Sequence, residues 1–153
     1  MQTIGIIALS GACDKEKIEN SKACLEKMGF KVKLSKNIFD RVRYLAGSDE
    51  DKLAELYRFF KDPEIDLILN ARGGYGTIRL INKIDYDIIK NNQKPFIGFS
   101  DITALLLMFY KKAGLITYHG PMASSDFGGE ISDFTNENFF RAINGESLEF
   151  CGN

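Results

Sequence analysis

The sequence predicts an α/β fold in which a parallel sheet of about five strands is covered by helices on both faces. Apolar runs of strand length alternate along the chain with stretches of helical period, an order typical of consecutive β-α-β units. Most of these runs are continuously apolar, as expected for strands that are buried on both faces. The chain has 153 residues, of which 44% are hydrophobic and 27% charged, the balance of one ordinary globular domain.

Five segments are predicted to be strands, because each is a short apolar run bounded by polar or glycine residues. They are Thr3 to Leu9, Phe30 to Leu34, Ile65 to Asn70, Pro95 to Phe99 and Leu115 to His119. In a parallel sheet the carboxyl ends of the strands lie at one edge, where open α/β sheets present reactive and binding groups. The residues that follow each strand are therefore the first candidates for a functional site.

Four segments are predicted to be helices from apolar residues at helical spacing and from residues typical of helix ends. They are Lys15 to Met28, a helix capped by Ser48 that carries Leu53 to Phe60, Asp101 to Lys112, and Asn136 to Ile143. Gly29 is expected to end the first helix in a left-handed conformation. Residues 123–135, rich in serine and glycine, are expected to form a long loop.

We expect one domain over residues 1–145, followed by a tail or the start of a connection to a further domain at residues 146–153. Phe139, Phe140 and Phe150 are candidates for apolar surface exposed near this end, so the sequence leaves a homodimer open. No stretch approaches the roughly 18 to 20 apolar residues of a membrane span. Thr3 to Leu9 is expected to be a buried strand and not a signal peptide, because it has no basic flank and is too short for one. The expected location is the cytoplasm.

Charge and cysteine content exclude several classes of function. Twenty basic and 21 acidic residues give a formal net charge of −1, which argues against a nucleic-acid partner because such proteins carry a basic face. Cys13, Cys24 and Cys151 lack the spacing of a zinc site or a disulfide framework, so they are predicted to be reduced thiols.

The segment Gly98-Phe99-Ser100-Asp101 joins a predicted strand to a predicted helix. A serine on such a tight turn projects its hydroxyl as a nucleophile, and the following amide, that of Asp101, points at an oxyanion formed by attack. The alternative is that Ser100 or Asp101 only caps the helix. Ile102 stands where the usual nucleophile elbow has a second glycine, so this is not the standard hydrolase motif.

A second glycine-rich turn, Ala71-Arg72-Gly73-Gly74-Tyr75-Gly76, follows the strand that ends at Asn70. Its glycines allow close approach to a ligand and expose successive amides to an anion or a polarised carbonyl. The alternative is a turn without a ligand. The spacing matches no dinucleotide or nucleoside triphosphate motif. Arg72, Tyr75 and Arg79 are candidates for binding a substrate carboxylate, since a guanidinium fork matches that anion. The alternative, above all for Arg79, is a solvated arginine on a helix face.

His119 is the single histidine and ends a predicted strand, so it could in principle reach Ser100 as a general base. A hydrogen-bonded structural histidine is the competing interpretation. Cys13 follows the first strand, but no activating neighbour is visible in the sequence. We therefore assign no role to either residue.

Four blocks together resemble the LD-carboxypeptidase family of serine peptidases, which includes muramoyltetrapeptide carboxypeptidases and the peptidases that give immunity to microcin C. The blocks are Tyr44-Leu45-Ala46-Gly47-Ser48-Asp49-Glu50, Ala71-Arg72-Gly73-Gly74-Tyr75-Gly76, Pro95-Phe96-Ile97-Gly98-Phe99-Ser100-Asp101-Ile102-Thr103-Ala104-Leu105 and His119-Gly120-Pro121-Met122. They occur in the family's order and spacing. The resemblance implies a flavodoxin-like amino-terminal domain, similar to class I glutamine amidotransferases.

The resemblance implies hydrolysis of the L,D-amide bond that releases terminal D-alanine from murein tetrapeptide during cell-wall recycling. Ser100 matches the family's nucleophile, and the amides of Asp101 and Gly74 match its oxyanion donors. Gly73, Arg72 and Tyr75 are the expected substrate-binding residues. The resemblance implies no metal and no other cofactor.

The chain departs from the family in two respects. Leu9 stands where members normally carry proline, and the glutamate and histidine of the family's triad belong to a carboxyl-terminal domain that we expect this chain to lack. Those roles are therefore not assigned to Glu130, Glu137 or His119, and the chain alone is expected to be feeble or inactive. The alternatives are a non-catalytic muropeptide-binding remnant, a peptidase acting on a peptidyl-nucleotide toxin, or a nucleotide or phosphate binder.

Overall fold

A computed structural model of the chain describes residues 1–146 and contains one sheet of five parallel strands in the order β2-β1-β3-β4-β5. The strands are β1 (Thr3–Ile7), β2 (Lys31–Leu34), β3 (Leu67–Asn70), β4 (Phe96–Gly98) and β5 (Tyr118–His119). This order is that of flavodoxin-like sheets. The predicted α/β class and the parallel sheet are confirmed.

Residues 1–146 contain five α-helices and three shorter helical turns, of which the π-helical turn and the last α-helix follow β5 and the others connect the strands. The α-helices are α1 (Lys15–Lys27), α2 (Asp49–Lys61), α3 (Tyr86–Asn91), α4 (Thr103–Ala113) and α5 (Asp133–Ile143). Two short 3-10 helices cover Thr77–Arg79 and Ser100–Ile102, and a π-helical turn covers Ala123–Phe127. The predicted caps are present, since Ser48 Oγ accepts the amide of Asp51 at 3.1 Å and Gly29 has a φ of 94°.

The sheet separates two apolar layers, which explains why its strands are continuously hydrophobic. One face packs against α2, α3 and α4, with Phe59, Phe96 and Phe109 fully buried. The other face packs against α1, the π-helical turn and α5, with Ile18 and Phe127 at its centre. Both faces of the sheet are thus removed from water, and the polar ends of the strands are left for function.

The structure differs from the sequence prediction at α3, which was not predicted, and in three of the predicted segments. α5 begins at Asp133, three residues before the predicted start, because Ser132 Oγ accepts the amide of Thr135 at 3.2 Å and caps the helix. The predicted loop at 123–135 contains the π-helical turn, whose Ser124 amide donates to Ala71 O at 2.7 Å. The last strand keeps only Tyr118–His119, since only these two residues pair with β4.

The expected exposure of the terminal phenylalanines is wrong for Phe139, which is 4% exposed and packs its ring edge against Phe127. Phe140 is half-buried and stacks on Phe30 at a centroid distance of 5.6 Å. Phe150, Cys151 and the tail from residue 147 onward lie outside the described residues. Within residues 1–146, no helix has the length and apolar character to cross a membrane.

Candidate active site

Ser100 occupies a sharp bend between β4 and α4. Its φ is 59°, in the left-handed region that residues other than glycine seldom adopt, whereas the preceding Phe99 is extended. The residue is exposed although β4 directly before it is buried. A side chain held in this way projects from the carboxyl edge of the sheet, as a nucleophile on a strand-to-helix turn must.

The capping alternative for this segment is wrong. Neither the 3-10 turn that starts at Ser100 nor α4 receives a side-chain cap hydrogen bond. The Asp101 carboxylate instead accepts the hydroxyl of Ser10 at 2.6 Å and the amide of Thr77 at 3.0 Å through one oxygen, Oδ2. The carbonyl of Asp101 also accepts the hydroxyl of Thr77 at 2.6 Å. Asp101 therefore ties the bend to the segments that follow β1 and β3.

The glycine-rich turn after β3 lies directly beside Ser100, as the sequence predicts for two turns at one edge. A Cβ on Gly73 would lie 3.0 Å from Oγ of Ser100 and 3.6 Å from the amide nitrogen of Asp101. Gly74 has a φ of 133°, and a Cβ there would lie 3.2 Å from the backbone of Gly11. Both positions thus require glycine, one for space and the other for backbone conformation.

The peptide between Gly73 and Gly74 has a defined direction. The Gly73 carbonyl accepts hydrogen bonds from the amide of Gly11 at 3.3 Å and from Nε of Arg72 at 3.2 Å. The peptide bond is trans and planar, so the N–H of Gly74 points the opposite way, away from the segment after β1.

A cleft of about 420 Å³ opens in front of these two turns. Its lining consists of Asp14, Lys17, Arg72, Gly73, Gly74, Phe99, Ser100, Met122, Ser124 and Ser125. Sequence reasoning missed the contributions of α1 and of the π-helical turn. The sequence does contain a signal for α1, because Asp14 lies in the segment after the first strand, at the same edge of the sheet as Ser100 after the fourth strand.

The predicted binding residues Arg72 and Tyr75 differ in their position relative to the cleft. Arg72 lines the cleft, and its guanidinium is held over the turn by Nη1, which donates to Ala12 O at 3.3 Å. Tyr75 is 60% exposed and lies outside the cleft lining, with its ring 6.4 Å from that of Tyr44. Contact between Tyr75 and a substrate stays a prediction.

Neither His119 nor Cys13 lines the cleft that contains Ser100. His119 lines a separate groove between β5 and α5, and its ring is 6.1 Å from that of Phe99. Cys13 is buried, and burial raises the pKa of its thiol to about 11, partly offset by the charges of Arg72 and Arg41. A thiol of this kind is a poor nucleophile at neutral pH.

The segment Tyr44 to Gly47 also docks at this edge. The amide of Ala12 donates to Tyr44 O at 2.9 Å, and that of Ala46 donates to Ser10 O at 3.0 Å. The four sequence blocks singled out for their resemblance are thus brought to one end of the sheet. Two flank the cleft, a third supports the segment after β1, and the fourth contributes Met122 to the cleft lining.

The model of the LD-carboxypeptidase N-terminal domain matches residues 4–120 of the chain. The chain belongs to the LD-carboxypeptidase family. The matched region runs from the second residue of β1 to the residue after β5, so it includes both turns beside the cleft and all of the sheet except Thr3.

Curated LD-carboxypeptidase relatives are similar over most of this chain. A probable murein peptide carboxypeptidase from Bacillus subtilis is 41% identical over 126 residues, which are 82% of this chain and 40% of the relative. A murein tetrapeptide carboxypeptidase from Pseudomonas aeruginosa is 35% identical over 122 residues, 79% of this chain and 39% of the relative. The chain thus spans about 40% of the length of these relatives.

A solved structure of the same family has the same fold. The microcin C7 self-immunity protein MccF, in complex with aspartyl sulfamoyl adenosine, superposes with a TM-score of 0.88 at 32% sequence identity. The superposition covers 93% of this chain and 44% of that chain. This chain therefore has the same backbone architecture as the matching part of MccF.

Proposed function

We propose that this chain is the amino-terminal, nucleophile-bearing half of a serine LD-carboxypeptidase that releases terminal D-alanine from murein tetrapeptide. The observation that carries the proposal is the strained, exposed Ser100 lying against the Gly73-Gly74 turn at the wall of the cleft. The names of the curated relatives, a murein peptide and a murein tetrapeptide carboxypeptidase, support the substrate class.

Ser100 is the proposed nucleophile. Its Oγ attacks the carbonyl carbon of the L,D-amide bond, and its proton passes to a general base and then to the nitrogen of the leaving D-alanine. The resulting acyl-enzyme is hydrolysed by water, which regenerates the Ser100 hydroxyl. Exposure of Ser100 at the cleft wall supports this role, because the hydroxyl has to reach a substrate carbonyl.

The proposed oxyanion site consists of two backbone amides, those of Asp101 and Gly74. The Asp101 amide directly follows the nucleophile, and its nitrogen lies 3.6 Å from the Cβ position of Gly73. The Gly74 amide is held in one direction by the two hydrogen bonds to the Gly73 carbonyl. Donors fixed before the reaction stabilise developing negative charge without reorganisation, and removal of one typically costs about 10²- to 10³-fold in kcat.

Arg72 is proposed to bind the carboxylate of the terminal D-alanine. Two of its N–H groups are used to hold the side chain over the turn, so its guanidinium is presented to the cleft in a fixed orientation. A guanidinium matches a carboxylate in charge and geometry. Fixing it in advance lowers the entropic cost of binding the substrate.

The proposed general base is a histidine oriented by a glutamate, both supplied by a carboxyl-terminal domain. The match to an amino-terminal domain model and the coverage of about 40% of the relatives support a second domain of this kind. Without its base, a triad serine retains only the residual catalysis of oxyanion donors and binding, about 10³- to 10⁴-fold over water. The chain alone is therefore expected to turn over slowly or not at all.

The test is to mix this chain with the carboxyl-terminal domain of a family member and to measure D-alanine release from murein tetrapeptide. Release is expected only when both parts are present, and Ser100→Ala is expected to abolish it. Ser132→Ala, which removes a distant serine at the start of α5, is the matched control and is expected to retain release. The absence of release with every family domain would count against the proposal.

Two alternatives make different predictions in the same experiment. A peptidase for peptidyl nucleotides is favoured by the binding of aspartyl sulfamoyl adenosine to MccF, and it would cleave an aspartyl nucleotide faster than tetrapeptide. A non-catalytic muropeptide-binding remnant would bind tetrapeptide in calorimetry without turnover in any mixture. The proposal requires turnover of tetrapeptide that depends on Ser100.

A further inference from the structure

Lys52, in the first half of α2, is a fully buried cation that has no role in the proposed reaction. Its side chain has 0% exposure, and within residues 1–146 its Nζ has no hydrogen-bond partner. Nζ lies 3.8 Å from the Cβ position of Gly76, directly beneath the turn that precedes Thr77. The ammonium thus lies beside the end of the glycine-rich turn that follows β3.

Asp49 compensates this charge only in part. Its Oδ1 lies 3.6 Å from Nζ of Lys52, an ion pair too long for a hydrogen bond. The same carboxylate binds Arg79 at 3.1 Å and Lys83 at 2.9 Å, so one negative charge is shared by three cations. A buried ammonium costs several kcal/mol to desolvate, so a second negative group is expected nearby.

Asp101 supplies a negative group on the segment next to Lys52, because its carboxylate is bound to the residue that follows Gly76. Burial lowers the pKa of Lys52, whereas the carboxylates of Asp49 and Asp101 act in the opposite direction. Asp101 Oδ2 holds the amide of Thr77, which directly follows Gly76. The ammonium of Lys52 and the Asp101 carboxylate therefore both lie at the Gly76-Thr77 segment, which the carboxylate joins to the bend at Ser100.

We propose that Lys52 is a positioning residue for the nucleophile turn. Its buried charge holds the Asp101 carboxylate against Thr77 and Ser10, which keeps Ser100 in its left-handed conformation and aims the Asp101 amide. The inference rests on the proposed function of Ser100. Lys52 is not among the residues that line the cleft, so in this proposal it acts only through Asp101.

A purely structural role of Lys52 predicts that its replacement leaves activity unchanged. Replacement of a buried ion by an apolar side chain of similar size is often neutral or stabilising, provided that no partner is left uncompensated. Asp49 would keep Arg79 and Lys83, so Lys52→Met is expected to fold. If Lys52 only filled space, this variant would keep full activity; if it positions Asp101, the variant loses turnover while it stays folded.

The experiment compares Lys52→Met, Lys52→Gln and Lys52→Arg in the D-alanine release assay with the complementing domain. Both uncharged variants are expected to lower kcat by about tenfold or more, with KM within about twofold of the parent value. Lys52→Arg, which keeps the positive charge, is expected to recover most of kcat. Lys83→Met is the matched control, because it removes another cation from Asp49 without contact to the nucleophile turn, and kcat is expected to be unchanged.

A second measurement separates this inference from the proposed function. Amide hydrogen exchange at Thr77 reports the Asp101–Thr77 hydrogen bond in the chain alone, and it is expected to be about tenfold faster in Lys52→Met while exchange in the β1 core is unchanged. If the parent mixture shows no release, the proposed function fails and the exchange result still tests Lys52. The inference would be overturned if the uncharged variants kept both the kcat of the parent and its rate of Thr77 amide exchange. It would also be overturned if both uncharged variants failed to fold.

Discussion

Gly73 and Ser100 approach so closely that a Cβ on Gly73 would lie 3.0 Å from both Cβ and Oγ of Ser100. The two residues belong to turns that follow neighbouring strands, β3 and β4, which pair in parallel register. A side chain at position 73 would therefore push directly on the proposed nucleophile. This contact makes the two turns one unit, in which the shape of one depends on that of the other.

Gly73→Ala is expected to reduce D-alanine release in the complemented mixture by at least about tenfold while the chain stays folded. The new methyl group has to displace Ser100, and a displacement of about 1 Å at reacting groups can cost about 100-fold in rate. Gly129→Ala is the control, because the nearest atom to its Cβ position is 3.9 Å away. Equal rates of D-alanine release for Gly73→Ala and Gly129→Ala would contradict the close approach of Gly73 to Ser100.

Ser100→Gly is expected to be more stable than Ser100→Ala by about 1 kcal/mol, although both lack the nucleophile. Alanine keeps the strain of a φ near 59°, whereas glycine adopts this conformation without cost from a Cβ. Urea unfolding of the two variants at one pH measures the difference. If alanine were the more stable, the left-handed conformation of Ser100 would not be a source of strain.

The sequence predicted the sheet and the location of the site because both depend on local signals. Continuous apolar runs identify strands that are covered on both faces, and the turns at their carboxyl ends must share one edge in a parallel sheet. The turns that carry Gly73 and Ser100 were therefore expected at the same edge of the sheet, although neither motif matches a standard pattern. The short α3 was not predicted, because six residues give too little periodicity to distinguish a helix from a turn.

The supporting polar network could not be predicted from the sequence. The Asp101–Ser10 hydrogen bond joins residues 91 positions apart, and nothing local distinguishes Ser10 from any serine after a strand. Lys52 appears in the sequence as an ordinary charged position on an amphipathic helix, and only the packing of α2 beneath the Gly76 turn buries it. Residues that act through tertiary contacts leave no pattern of their own.

Cys13 is expected to react with a thiol reagent only when the chain unfolds. A pKa of about 11 leaves about one thiolate in a thousand molecules at pH 8, and burial restricts access further. With Cys24 and Cys151 replaced by serine, the reaction of Cys13 with Ellman's reagent should be at least about 100-fold slower in buffer than in urea. A rapid reaction of the folded chain would show that the segment after β1 opens easily.

Asp49 is expected to make the stability of the chain depend on pH in acid. The hydrogen bond from Arg79 is the main reason that the pKa of Asp49 is lowered from 3.8 to about 2, with Lys83 acting in the same direction against burial. A carboxyl group with a lowered pKa in the folded state stabilises the fold above its unfolded pKa. That contribution is lost as the pH falls from about 4 to about 2.

The measurement is the free energy of unfolding in urea for the parent chain and for Asp49→Asn between pH 6 and pH 2.5. The parent is expected to be more stable by about 2 kcal/mol at pH 6 and by less than about 1 kcal/mol at pH 2.5, because the unfolded carboxyl takes up its proton first. Glu50→Gln, on the same turn of α2 but 81% exposed, is the control and should change stability little at any pH. A difference between parent and Asp49→Asn that stayed constant across this range would mean that the Arg79 and Lys83 contacts do not depend on the charge of Asp49.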